Sequence, residues 1–242
     1  MSPQPPSAFT CLVIDHDDTS VASTPGIHYP AHVEALRQLR PRLAPLSLDD
    51  WFRKNFSPGL MGYLVGELAF TPEEVAINHG IWRSFTASRV PAFYPGFLDL
   101  LAEFRRRGGI VVVVSHSETD KILRDYVADS SLGEPFLPDA IMGWNDDPML
   151  RKPSAYPIHA VLDRFDLNPE QVLVLDDLKP GLDMALAAGV ACAGAGWGHD
   201  IAEIRAVMCA HCHWYFHTLE TFSGFLLGGV TPASSVSRAL EP

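Results

Sequence analysis

Four short apolar runs, broken only by Thr10, constrain this chain more than any other feature: 9–14, 110–114, 172–175 and 190–193. Each is too short for a helix, and none alternates with polar residues as a half-exposed strand would. Helical patterns lie between them. Residues 95–107 read as a helix with Pro at its start and Gly108 at its end, and further helices are expected from about 118, from about 155, and up to Gly189, with a short strand near Ile141. A last helix–strand–helix follows. Strands that are apolar on both faces and separated by helices are those of a parallel sheet covered on both sides. The expected fold class is therefore α/β, a doubly wound parallel sheet.

Residues 24–93 interrupt this alternation with helical signals alone. Pro30 is placed to open one helix, Ser47 with Asp50 to cap a second and Pro58 to open a third, while Thr71-Pro72-Glu73-Glu74 is a capping box ahead of Val75, Ile77 and Ile81. The expected organisation is a core made of 1–23 and 94–242, with 24–93 inserted as a helical cap. The insertion holds seven Lys or Arg against six acids, so the net charge of -11 divides into +1 there and -12 in the rest of the chain. That charge repels phosphate backbones and anionic membrane surfaces, and no apolar run approaches the length of a membrane span. Nucleic acid and membranes are excluded as expected partners. Met1 to Ala8 carries no basic residue and so no signal peptide, and the four cysteines are too few for a disulfide framework, which together point to the cytoplasm.

Four groups of polar residues fall at or near the carboxyl ends of strands, where open α/β sheets bind their ligands. They are Asp15-His16-Asp17-Asp18-Thr19, Ser115 after four valines, Arg151-Lys152-Pro153, and Asp176-Asp177. Singly, each has a plain reading. The first could be a solvated turn, Ser115 a helix cap less well placed than Ser117 with Asp120, and Arg151-Lys152 a charge pair in water. Adjacent carboxylates closing an apolar strand repel each other, however, and favour a cation between them.

In order, spacing and strand context, Asp15-x-Asp17-x-Thr19, Ser115, Lys152-Pro153 and Asp176-Asp177 resemble the motifs of the haloacid dehalogenase-like hydrolases, in their phosphatase and phosphomutase branch. Tyr94-Pro95-Gly96 and Ala188-Gly189-Val190 agree, and Asp176-Asp177 with Gly181 is similar to β-phosphoglucomutase-like members. Two departures stand out: Asp18 replaces a usual Gly, and Ser20 a common Leu. The resemblance implies a Rossmann-like core with a helical cap and a Mg²⁺-dependent hydrolysis of a small phosphorylated metabolite. It implies Asp15 as nucleophile, forming an aspartyl phosphate, and Asp17 as general acid and base. Ser115 and Lys152 would hold phosphoryl oxygens. Mg²⁺ would sit on Asp15, Asp17 and Asp177, with Asp176 as a further ligand, and Thr19 would fix the loop.

The founding dehalogenase chemistry attacks carbon and lacks the second Asp of the first motif, so Asp17 argues against it. A phosphomutase and a non-catalytic phosphate-binding regulator are the alternatives. Within the cap, His28, Tyr29 and Arg53 are the expected substrate contacts, with Lys54, Trp82 and Arg83 as further candidates. Cys209-Ala210-His211-Cys212-His213 has the spacing of a c-type haem attachment site. Its plainer reading is the end of a helix leading into the strand 214–216, and neither haem nor zinc is expected there.

Overall fold

The computed structural model describes residues 9–228. Six parallel strands form one sheet in the order β3-β2-β1-β4-β5-β6: β1 (Cys11–Ile14), β2 (Ile110–Val114), β3 (Ala140–Met142), β4 (Val172–Asp176), β5 (Ala191–Ala195) and β6 (Trp214–Phe216). Side chains of a strand alternate between faces, and each face is covered by its own helices. Val13, Val112 and Val174 pack under α6 (Tyr156–Phe165), α7 (Lys179–Ala188) and α8 (Ala202–His211). Leu12, Val113 and Leu173 pack under α4 (Phe97–Arg106), α5 (Thr119–Ala128) and α9 (Leu219–Gly228). This two-sided burial is why the strands read as continuous apolar runs.

The register sets the site. Ile14 lies level with Val113 on one side and with Leu175 on the other, so Asp15 emerges beside Asp176 and near the end of β2. The Asp15 amide donates to the Leu175 carbonyl at 2.9 Å, which extends the pairing by one residue. Strand order reverses between β1 and β4, and the crevice outside the carboxyl ends at such a reversal is the binding position of doubly wound sheets.

Residues 24–88 hold helical elements only: π-type turns at Thr24–His28 and Gly62–Glu67, with α1 (Tyr29–Leu39), α2 (Leu48–Phe56) and α3 (Pro72–Ser88). The capping box at Thr71 and Glu74 and the Ser47 cap on Asp50 form as expected. Pro58 opens no helix. It lies in the turn that ends α2, where Gly59 takes φ +86°, and helical structure resumes later. Likewise α4 starts at Phe97 because Gly96 precedes it with φ +83°. β5 starts at Ala191 because Val190 still bonds back to the Ala185 carbonyl of α7. Where the chain leaves and re-enters the core, the two passages are paired. Ala22 donates to the Ala92 carbonyl at 2.9 Å and Tyr94 to that of Ser20 at 3.1 Å. The Cys209–His213 stretch leads α8 into β6, and the Cys212 thiol packs 3.8 Å from that of Cys192.

The helical segment has a small core of its own: Leu36, Trp51, Tyr63, Leu64 and Phe70. His32 is buried against it, stacked on Trp51 at 4.1 Å between ring centroids, and its Nε2 has no hydrogen-bond partner. Burial drives its pKa from 6.5 to about 4, so the folded chain holds it neutral. Above pH 6.5 the ring is neutral in both folded and unfolded chains and its packing contributes in full. As pH falls toward 4 only the unfolded chain takes the proton, and stability declines. His32→Phe should remove about 2 to 3 kcal/mol of the stability difference between pH 7.5 and 4.5. Urea unfolding at the two pH values checks this, and an unchanged difference would contradict it.

Candidate active site

Lys152 lies at the centre of the crevice. It arrives from the loop before α6 and buries its ammonium between two carboxylates, 2.6 Å from Asp15 Oδ1 and 2.7 Å from Asp176 Oδ2. Asp176 also accepts the Leu178 amide, and Asp177 Oδ1 accepts the Thr19 hydroxyl at 3.0 Å. Carboxylate oxygens of Asp15, Asp176 and Asp177 lie within 4.8 Å of one another, and Asp177 Oδ2 has no hydrogen-bond partner among the described residues. Burial lifts the pKa of Asp15 and of Asp176 to about 6 against the pull of Lys152, and burial also raises Asp177. Burial disfavours the Lys152 ammonium, but the two flanking carboxylates outweigh it and its pKa rises. Three buried carboxylates against one ammonium leave an anionic excess, and the donor set is hard oxygen. Such a cluster can hold a divalent cation.

Asp18 adds a further buried carboxyl, lifted to about 7 by burial and by Asp177. Its φ is +60°, the left-handed region, which explains why glycine suits the position and why Asp, among side chains, tolerates it. Its Oδ1 accepts the Thr24 amide, tying the loop to the first turn of the helical segment.

On the other side of Asp15, Asp17 is held by three hydroxyl or ring donors. His28 Nε2 lies 2.8 Å from Oδ1, the Ser117 hydroxyl donates to Oδ2 at 2.6 Å, and Ser115 Oγ reaches it at 3.4 Å. The Trp82 indole, which can only donate, bonds His28 Nδ1 at 2.8 Å, so the ring hydrogen sits on Nε2 and points at Asp17. Burial alone would raise the Asp17 carboxyl. His28 and Ser117 outweigh it and hold the group far below the usual carboxylate range.

Of the residues singled out in the sequence, Asp15, Asp17, Ser115, Lys152, Asp176, Asp177 and His28 converge on the crevice. Two cap candidates have other commitments. The Tyr29 hydroxyl donates to the Leu46 carbonyl within the helical segment, and Arg53 pairs with Asp50 and with Glu203 of α8. Sequence distance from the loop, the ground for choosing Tyr29, says nothing about which way a helical side chain faces. Lys54 pairs with Glu67, and Arg83 with Glu118 at the start of α5. Ser117 was expected to cap α5, but Glu118 holds the cap position and the Ser117 hydroxyl turns to Asp17. Its place two residues beyond a strand-end Ser was the available signal.

The family model for haloacid dehalogenase-like hydrolases matches residues 9–189, which includes the whole motif series and the helical segment. This chain belongs to the haloacid dehalogenase-like hydrolases. A phosphoglycolate phosphatase of Pectobacterium atrosepticum is 23% identical over 202 residues, covering 81% of this chain and 84% of the relative. Among solved structures of similar fold, a predicted phosphoglycolate phosphatase from Haemophilus somnus matches 93% of this chain and 99% of its own, with TM-score 0.70 and 20% identity. CbbY from Rhodobacter sphaeroides, solved in complex with phosphate, matches 87% of this chain and 94% of its own, with TM-score 0.64 and 21% identity. The six-stranded parallel sheet is the fold of this hydrolase family.

Close packing behind the cluster gives a test of how tightly it is built. A Cβ on Gly181 would fall 2.0 Å from Asp176 Oδ2, whereas one on Gly80, in exposed α3, would meet nothing within 4 Å. Gly181→Ala should therefore displace Asp176 from Lys152 and destabilise the fold by about 1 to 3 kcal/mol. Gly80→Ala should stabilise it by about 0.5 to 1 kcal/mol. Denaturant unfolding of both variants reads the contrast, and a Gly181→Ala protein as stable as the parent would contradict it.

Proposed function

We propose that this hydrolase is a Mg²⁺-dependent phosphatase that cleaves a small-molecule phosphomonoester through an aspartyl-phosphate intermediate. The observation that carries the reading is Asp15 at the carboxyl end of β1, with Lys152 on one of its oxygens and two further carboxylates beside it. Asp15 is the nucleophile, and it splits one difficult displacement into two easier ones. The Lys152 ammonium and the Ser115 hydroxyl bind phosphoryl oxygens as charge develops on them. Asp17 protonates the leaving oxygen and then takes a proton from the attacking water. Held as a carboxylate by His28 and Ser117, it is in the form required for the second of these tasks, and the proton it passes to the leaving oxygen in the first comes to it from the substrate, bound as its monoprotonated phosphate. Asp15, Asp177, the Asp17 carbonyl and Asp176 would hold Mg²⁺, which offsets the repulsion between an anionic substrate and this acidic site.

Residues 24–93 act as the cap that excludes water and selects the leaving group, with His28 as the cap residue that reaches the chemistry. Tyr29 and Arg53 are removed from the substrate contacts, because both are engaged elsewhere. Phosphoglycolate is one member of the substrate class, suggested by the relatives of that name.

The test is turnover of small phosphomonoesters, a nitrophenyl phosphate and phosphoglycolate among them, with Mg²⁺ and with chelator. Chelator should abolish turnover, and Asp15→Asn should lower it at least about 1,000-fold while the protein still unfolds cooperatively. An Asp15→Asn protein that retains more than a few per cent of activity would remove Asp15 as nucleophile. Activity untouched by chelator would remove the metal.

A further inference from the structure

The segment Trp197-Gly198-His199, just beyond β5, takes no part in the chemistry described above, yet all three of its residues touch the loops that carry it. The Trp197 indole donates to the Thr19 carbonyl at 2.9 Å. A Cβ on Gly198 would lie 2.1 Å from the Asp18 carbonyl oxygen, so only glycine lets the two backbones come together there. His199 places Nε2 3.3 Å from Asp177 Oδ2, with its side chain 4% exposed and its ring 4.8 Å from Phe52 of α2.

The pairing of unused atoms is informative. Among the described residues, Asp177 Oδ2 and both ring nitrogens of His199 have no hydrogen-bond partner, and all are buried. A buried imidazole without a partner costs about 1 to 3 kcal/mol, and a phenyl ring would pack on Phe52 without that cost. The imidazole is therefore explained by what it faces. The other oxygen of Asp177 is already held by the Thr19 hydroxyl, and Thr19 is itself held by Trp197. A carboxylate oxygen has lone pairs enough to accept from His199 and still face the acidic cluster.

We propose that Trp197-Gly198-His199 is a positioning clamp for Asp177. In this arrangement His199 donates to Oδ2, Thr19 donates to Oδ1, and the carboxylate is presented to a divalent cation in one orientation. The clamp rests on the metal-dependent phosphatase reading and extends it to residues that do not touch substrate. Hydrogen bonds behind metal ligands typically change affinity by about 10- to 100-fold when lost.

The experiment is calorimetric titration of Mg²⁺ into the full-length, metal-free protein without substrate, for the parent, His199→Phe and His199→Gln. His199→Phe keeps the ring packing and loses the donor, whereas His199→Gln keeps a donor. His199→Phe should weaken Mg²⁺ binding about tenfold or more, His199→Gln should bind within about threefold of the parent, and the thermal midpoint of the metal-free His199→Phe protein should not fall. Parent-like Mg²⁺ affinity in His199→Phe would overturn the clamp alone. Equal weakening in both variants with lowered midpoints would also overturn it, by showing that the ring only supports packing. A parent protein that takes up no Mg²⁺ would overturn the clamp together with the metal-dependent reading.

Discussion

One ammonium group holds the crevice together. Lys152 is buried, and so are Asp15 and Asp176, which it joins. Removing either carboxylate from water is costly, and removing the cation that balances them would leave two uncompensated charges, a loss of about 3 to 5 kcal/mol for pairs of this kind. The sheet makes this arrangement possible because β1 and β4 are neighbours in register, which brings Asp15 and Asp176 to the same level. The small residue Gly181 on α7 then lets Asp176 lie against the helix. The fold supplies a place where like charges are forced together, and that compression is what a phosphoryl-transfer site uses.

A second network joins the helical segment to the core. His28 and Trp82, from opposite ends of residues 24–88, meet over Asp17. Arg83 reaches Glu118 at the start of α5, and Arg53 reaches Glu203 on α8. These exposed pairs contribute little each. The half-buried His28 contact differs, because it sets both the position and the ionisation of Asp17. The helical segment and the Asp17 carboxylate are thereby tied through a single imidazole.

The strands and the acidic loop after β1 could be read in the sequence because both are local signals. Val111 to Val114 can hardly be anything but a buried strand, and an Asp directly after Ile14 must lie at its end. The helical nature of 24–93 was equally plain from its caps. What was not legible depends on direction and distance. Tyr29 and His28 are adjacent, yet one faces Leu46 and the other Asp17, where Trp82 of α3 holds its ring. Ser117 looked like a helix cap because its local pattern fits one, and the pull of the half-buried Asp17 carboxylate, from the loop after β1, outweighs that pattern. His199 carries no motif at all, and its relation to Asp177 exists only once β5 lies beside β4.

In the proposed reaction phosphorus is attacked by the Asp15 carboxylate. Acid quench during turnover of a nitrophenyl phosphate, followed by borohydride reduction, converts an acyl phosphate into the corresponding alcohol, so phosphorylated Asp becomes homoserine. Peptide mass spectrometry then reads the position. Homoserine at 15 and at no other aspartate is the predicted result. Homoserine at position 17 or 18, or its absence from every peptide during steady turnover, would contradict it.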